Sequence, residues 1–454
     1  MGLTIFPMSI ASSDGGLSSL RKSSQDVNQA ISSHLSISSI VNHQDGWQVN
    51  PAPVVQRPLP NLGWLTHITG QTPEISLPPR YAYFINHQWH TQDLSALIYT
   101  PANLRKYPQY AQHLYEVALN LHLPVLNPYK QEARNRVMKF LAWNTSNEIV
   151  GAIQYTIRQG STLQTIHFPQ PLISDKNGVL HVPADAIPIQ NDMTLTDGQV
   201  IKYQFIKPDG SVFPAPVQGQ IHVFPPQGWM IITDIDDTLR NSRVVAPSQL
   251  INNALFYSYT GIRGMSQVFH LLEKRLSTHE SKLAVQYLSG CPMAFLKPTM
   301  EWLHRDGFPP GPMHIVERTA ANLGGINALL AVIDHKNRHL HQIVRDFPER
   351  QFVFFGDSGQ HDPAIYANFF LTMQRQHPDM VKDWCIYIRK VQGVNVKKEA
   401  IFNRNERFLQ DFHGVLPQQW MVFEDADELV NVNPALGSCY PPGARNPLIP
   451  IPEA

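Results

Sequence analysis

The sequence predicts an α/β protein: a three-layer α/β/α domain around a parallel sheet, preceded by a β-sandwich and an irregular N-terminal region. Two observations carry that expectation. From residue 226 onward, apolar runs of strand length (WMIITDID, KLAVQYLS, MHIV, QFVFFGDS, WCIYIRKV) alternate with helical candidates such as GMSQVFHLLEKRL, NRHLHQIVRDF and DPAIYANFFLTMQRQ. Strands apolar along their whole length need cover on both faces, and the intervening helices supply it. Ahead of them, residues 136–225 hold short strand-like runs (RVMKFLAW, EIVGAIQYTIR, GVLHVPADAI, QVIKYQFIK, GQIHVFP) separated by the turn signals NTSN, SDKNG, TDGQ and KPDG. Close-spaced short strands of that kind read as a sandwich.

In chain order, residues 1–80 are rich in Ser, Gln, Asn, Gly and Pro and read as a low-complexity accessory region, with PAPVVQRPLPNLGW as an extended linker. Residues 81–135 read as a helical connecting segment, because Leu104, Tyr107, Tyr110, Leu114 and Leu121 recur at helical spacing. The sandwich follows at 136–225 and the parallel-sheet domain at 226–430. The tail at 431–454, with PALGSCYPPGARNPLIPIPEA, is Pro-rich and reads as lying outside the core.

Bulk composition narrows the function classes. Lys plus Arg equals Asp plus Glu at 36 each, so nothing in the net charge calls for nucleic acid. Cys291, Cys385 and Cys439 are an odd number at wide spacing with no CxxC pair, which argues against a zinc site or a disulfide framework and makes a reducing, cytoplasmic compartment the default. The start, MGLTIFPMSIASS, lacks the features of a secretory signal and, with Phe6, misses the myristoylation pattern. No run of about 20 apolar residues is present, so any membrane contact is expected to be peripheral.

The chemistry is expected at one edge of the parallel sheet. In open α/β sheets, sites lie outside the carboxyl ends of the strands. WMIITDID ends on Asp234 and Asp236, KLAVQYLS on Ser289 and QFVFFGDS on Asp357. Clustered carboxylates repel one another, and an all-oxygen set suits Mg²⁺ together with a phosphate. In such a site Asp234 is placed to act as a nucleophile toward phosphorus, and Asp236, two residues on, to protonate the leaving alkoxide and then activate water. Asp237 reads as structural, and Cys291 as a pocket filler.

The motif order resembles the haloacid dehalogenase-like (HAD) phosphohydrolases. Asp234, Asp236 and Thr238 match D-x-D-x-T, and GDSGQHD at 356–362 matches the acidic last motif, with Asp357 and Asp362 as metal-side carboxylates. Ser289 fits the second motif, and Lys336, in DHKNRHLHQI, the third. DIDDT, GFPPGP (307–312), DFPERQFVFFGDSGQHDPAIYA (346–367) and IYIR (386–389) resemble one branch, the actin-patch-associated phosphatidate phosphatase family. The resemblance covers about 225–392 and implies a HAD-like Rossmannoid fold and Mg²⁺-dependent dephosphorylation of phosphatidate to diacylglycerol at a membrane surface. It implies Asp234 as nucleophile, Asp236 as acid and base, Thr238, Ser289 and Lys336 around the phosphoryl group, and Asp234, Asp236, Asp357 and Asp362 at the metal. The chain departs from the branch at SGCPMAF (289–295), where the family carries S-x-S-P-W, and after GFPPGP, where it reads GPMHIVERTA. The spacing of 55 positions from Asp234 to Ser289 leaves no room for a large cap.

Overall fold

The computed structural model describes residues 74–100, 133, 136, 143–144, 148–156, 164–189, 195–213, 218–317 and 325–450. Most of the accessory region and the helical stretch at 102–122 lie outside the described residues. Residues 81–100, read from sequence as the start of a helical connecting segment, and 74–80, read as the end of the accessory region, instead carry four strands. β1 (Glu74–Ser76), β2 (Arg80–Ile85), β3 (Gln88–Thr91) and β4 (Leu94–Thr100) come first. They are followed by β5 (Trp143–Asn144), β6 (Ile149–Thr156), β7 (Gln164–Ile173), β8 (Val179–Val182), β9 (Val200–Ile206) and β10 (Gly219–Val223). The β2–β3 hairpin turns on Asn86 and His87, both with positive φ (51° and 62°), the geometry of a type I′ turn.

These strands make two sheets. One has β1, β4 and β5 in order, with β8 also on β4; the other runs β3-β2-β10-β9-β6-β7. All pairings are antiparallel except β2 with β10. One apolar cluster joins them, with Ala96 and Ile98 from the first sheet and Ile153, Tyr203 and Ile221 from the second.

The rest of the chain folds around a third sheet. Its strands are β11 (Gly228–Thr233), β12 (Ala284–Pro292), β13 (Met313–Val316), β14 (Arg350–Asp357), β15 (Cys385–Arg389) and β16 (Trp420–Phe423). The order is β13-β12-β11-β14-β15-β16, and every pairing is parallel. Its helices are α1 (Pro247–Leu255), α2 (Met265–Leu276), α3 (Leu296–Arg305), α4 (Gly325–Asp346), α5 (Asp362–Gln376), α6 (Val396–Phe402) and α7 (Asn405–Asp411). Side chains alternate across the sheet. Ile231, Val353 and Phe355 join α2 and α3 in one cluster, while Met230, Ile232, Phe352 and Phe354 join α4, α5 and α7 in another. This is the covering on both faces that uninterrupted apolar strands require, and each large side chain so buried contributes roughly 1.5–3 kcal/mol.

The tail corrects two sequence expectations. Val432, Cys439 and Tyr440 are buried in the α2–α3 cluster, and Cys439 is disulfide-bonded to Cys385 of β15, with Cα atoms 5.4 Å apart. The chain carries the Pro-rich segment back across the sheet, bringing together two cysteines 54 residues apart that composition alone did not pair. Among the described residues, no helix is long and apolar enough to cross a membrane.

Candidate active site

The carboxyl edge of the third sheet gathers the polar groups. Central β11 stops at Thr233, and its neighbours deliver Ser289 from β12 and Asp357 from β14, so side chains distant in sequence meet at one strand end. Asp234, Ser289, Lys336, Asp357 and Asp362 are all nearly inaccessible. Lys336 sits in the middle of α4 rather than at its opening, and Asp362 begins α5, whose N-terminal dipole favours its negative charge.

On the β14 side lies a carboxylate cluster. Asp234, Asp357 and Asp362 each offer an oxygen, all within 4.8 Å of one another. Lys336 Nζ donates to Asp234 Oδ1 at 2.8 Å and to Asp362 Oδ1 at 2.6 Å. The Thr238 hydroxyl donates to Asp234 Oδ2 at 3.3 Å. Gly359 N–H donates to Asp357 Oδ1 at 2.6 Å, whereas the buried Asp357 Oδ2 has no hydrogen-bond partner. Burial, then the neighbouring carboxylates Asp362 and Asp236, pushes Asp234 up to about 8 against the pull of Lys336. Burial and then Asp362 and Asp234 push Asp357 well above the carboxylate range. Burial alone would lower Lys336, but Asp234 and Asp362 hold it well above the usual amine value. A crowded, all-oxygen donor set with one buried, unbonded carboxylate oxygen fits a hard divalent cation, which would relieve that repulsion.

Asp236 lies on the other side and its carboxylate is not part of that triple. Arg240 NH2 and the Ser242 hydroxyl each donate to Asp236 Oδ1 at 2.5 Å, and the Ser289 hydroxyl donates to Oδ2 at 3.1 Å. Arg240 is held in turn. Its Nε donates to Ser242 Oγ at 3.0 Å, its NH1 to Thr299 Oγ1 at 3.3 Å, and its guanidinium lies 4.3 Å from the Tyr259 ring centroid. Burial alone would raise Asp236, yet the Arg240 charge and these hydrogen bonds bring it below the usual carboxylate value.

A sharp turn makes this possible. Asp237 adopts a left-handed conformation (φ 57°), which Asp tolerates better than most residues. Its carboxylate accepts from the backbone N–H groups of Ser242, Arg243 and Val244. The turn folds Arg240 back onto Asp236. Sequence reasoning missed Arg240 and Ser242; the only available signal was a basic residue four positions beyond an aspartate. Burial pushes the Cys291 thiol up to about 11, leaving it inert as a nucleophile at neutral pH. His361 directly precedes α5.

Fold and site together define an α/β domain with a buried cluster of carboxylates and a lysine at the carboxyl edge of a parallel sheet. Residues 229–390 match the family described as phosphatidate phosphatase APP1, catalytic domain. The chain is similar to phosphatidate phosphatase APP1 of Saccharomyces cerevisiae, with 26% identity over 36% of this chain and 26% of the relative. It is also similar to an uncharacterized protein of Schizosaccharomyces pombe, with 24% identity over 47% of this chain and 31% of the relative. The chain thus spans less than a third of the length of either curated relative. A solved structure described under "The active site of a carbohydrate esterase displays divergent catalytic and non-catalytic binding functions" aligns at 8% identity and a TM-score of 0.20, covering 76% of this chain and 99% of that one, and carries no argument.

Proposed function

We propose that the chain is a Mg²⁺-dependent phosphatase of HAD-like type that hydrolyses phosphatidate to diacylglycerol through an aspartyl-phosphate, with residues 226–430 as the catalytic unit. The observation that carries this reading is the carboxylate and lysine cluster at the β11 and β14 ends, within a segment that matches a phosphatidate phosphatase catalytic domain.

Asp234, Asp357 and Asp362 would hold the cation, which when bound supplies Lewis-acid polarisation of the phosphoryl oxygens and neutralises the clustered charge. The Asp234 carboxylate attacks phosphorus, the bond from phosphorus to the lipid oxygen breaks, and Asp236 passes a proton to that oxygen. This proton comes from the singly ionised phosphate of the substrate, because Arg240 keeps Asp236 itself ionised beforehand. In the second step Asp236 takes a proton from water, the hydroxide oxygen bonds to phosphorus, the bond from phosphorus to Asp234 breaks, and Asp236 gives its proton to the departing phosphate dianion, which returns Asp236 to the ionised form. Lys336 orients Asp234 throughout, and Lys336 and Ser289 stabilise the charge on the transferring phosphoryl oxygens.

Phosphate release from phosphatidate in mixed micelles, with Mg²⁺ or EDTA, tests the proposal. Release is expected to need Mg²⁺ and to fall by about 10⁴-fold or more in Asp234→Asn, the scale seen when a nucleophile is removed. Release that persists in Asp234→Asn would overturn the mechanism. Asp234-dependent release from a soluble ester but not from phosphatidate would overturn the lipid assignment.

A further inference from the structure

α6 inverts the usual order of a surface helix. Val396 and Ala400, and Lys397 and Ile401, are pairs four residues apart and so neighbours on the helix surface, and the two pairs together cover one side of the helix, with Val396 and Ile401 at its edges. All four are exposed, Val396 at 79% and Ile401 at 53% of their possible surface. Glu399 and the flanking Asn403 are partly buried against the domain, and Lys398, itself exposed, reaches back to it. Glu399 accepts from the backbone N–H groups of Gly393, Val394 and Asn395. Lys398 Nζ donates to the Val245 carbonyl at 2.9 Å. Asn403, just past the helix, accepts from the Ser358 hydroxyl at 2.5 Å and donates to the Val391 carbonyl at 2.9 Å. A surface helix of a water-soluble domain ordinarily shows its polar face to solvent; here the outward face is two branched aliphatic side chains and an alanine around one lysine.

The position of the helix is as telling as its face. β15 pairs in register with β14, Asp357 opposite Arg389, so the loop leading into α6 leaves the sheet beside the carboxylate cluster. Asn403 is tied to Ser358, the residue after Asp357, and Arg407 donates to the Gln360 carbonyl at 2.7 Å. The apolar face is therefore mounted on the rim of the site. The chain has no net charge, yet the exposed side chains of residues 396–406 include Lys397, Lys398 and Arg404 against one acid, Glu406, while Lys390 and Arg407 pair with Glu424 and Asp411. Exposed aliphatic side chains flanked by lysine and arginine fit an anionic lipid surface, where a short apolar anchor and basic residues act together.

We infer that the outward face of α6 docks the domain onto a phospholipid surface rich in phosphatidate, with Val396 and Ile401 entering the headgroup boundary and the basic residues meeting lipid phosphate. This inference rests on the phosphatidate reading of the site for its choice of lipid. It presents the carboxyl edge of the sheet, and the site with it, to the membrane from which the substrate is drawn.

The test compares the full chain with a Val396→Asp/Ile401→Asp variant; both side chains are exposed and neither belongs to the catalytic machinery. Flotation with phosphatidylcholine vesicles, with and without phosphatidate, measures docking; hydrolysis of vesicle phosphatidate and of a short-chain, monomerically dissolved phosphatidate measures turnover. The wild type is expected to float with phosphatidate vesicles, less so at high salt. The variant is expected to lose roughly ten-fold or more of that partitioning and of vesicle hydrolysis, while soluble turnover stays unchanged. Equal flotation of variant and wild type, or equal flotation with neutral and anionic vesicles, would overturn the docking surface. So would a wild-type dimer that the variant dissociates, since a second copy would then own this face. If the wild type hydrolyses neither substrate yet floats through these two residues, docking stands and the phosphatidate reading falls. If soluble turnover is normal and vesicle hydrolysis is equal in the two proteins, docking falls and the phosphatase stands.

Discussion

On the β14 side of the β11 terminus, Asp234 shares a buried space with Asp357, Asp362 and a single lysine; on the β12 side, Asp236 sits among Arg240, Ser242 and Ser289. The two residues are the same amino acid, two positions apart. One neighbourhood has more negative charge than Lys336 can compensate, and Asp234 is pushed up to about 8. The other supplies a guanidinium and two hydroxyls, and Asp236 is held down. The difference teaches that a carboxylate's character is set by what the adjoining strands and helices deliver: crowded negative charge on one side, the place of the proposed nucleophile, and a carboxylate kept ionised and oriented on the other.

The largest way to break this comparison is to remove the lysine that donates to the crowded side. Lys336→Ala leaves the three carboxylates without their shared hydrogen-bond donor. Phosphate release at saturating Mg²⁺ is expected to fall by about 10²–10³-fold, the scale of losing one preorganised electrostatic donor. A fall of less than about three-fold would show that Lys336 takes no part in stabilising the transferring group.

The next test sharpens the other side. Arg240→Ala removes the group that holds Asp236 without touching the carboxylate triple. We expect kcat to fall by about 10–100-fold, the usual contribution of a positioned acid–base residue when only its alignment is lost, with KM nearly unchanged. Added guanidinium ion should restore part of kcat to Arg240→Ala and none to Lys336→Ala. A merely structural arginine would give a loss that guanidinium cannot repair.

Much of the crowded side was legible in the sequence, and of the other side Asp236 and Ser289 but not Arg240 or Ser242. Asp234, Asp357 and Asp362 stand at or just past the ends of strands whose apolar runs, MII and FVFF, announce burial on both faces. Parallel-sheet topology then sends those ends to one edge. Arg240 gave no such signal, because it reaches Asp236 through a turn that depends on the left-handed Asp237, which no periodicity encodes. The early strands were hidden for a related reason: the β2–β3 hairpin turns on Asn-His, not the Asn-Gly that would mark it. The Cys385–Cys439 pair depends on the path of the tail across the sheet, a long-range fact that an odd cysteine count obscured.

The smallest effect is a contrast in sign. Without metal, Asp234 has a folded pKa near 8 against an ordinary value of 3.8. Its protonated form suits the fold, so the stability it contributes is full below about pH 4 and is lost as pH rises toward 8. Asp236 has a lowered folded value, so its contribution is present above 3.8 and is lost only as pH falls through that depressed value. Replacing each with asparagine should therefore move thermal stability in opposite directions at neutral pH in EDTA. Asp234→Asn removes the cost of taking up a proton on folding at neutral pH and should raise Tm by roughly 2–4 °C for each kcal/mol regained, with the gain shrinking as pH approaches 4, where the unfolded carboxyl is protonated as well. Asp236→Asn leaves Arg240 buried with its charge unmatched and should lower Tm at every pH above the carboxylate range. Scanning calorimetry of the two variants and the wild type between pH 4 and 8 decides it. Shifts of the same sign would mean that the two aspartates share one electrostatic environment, and the division of labour across β11 would have no physical basis.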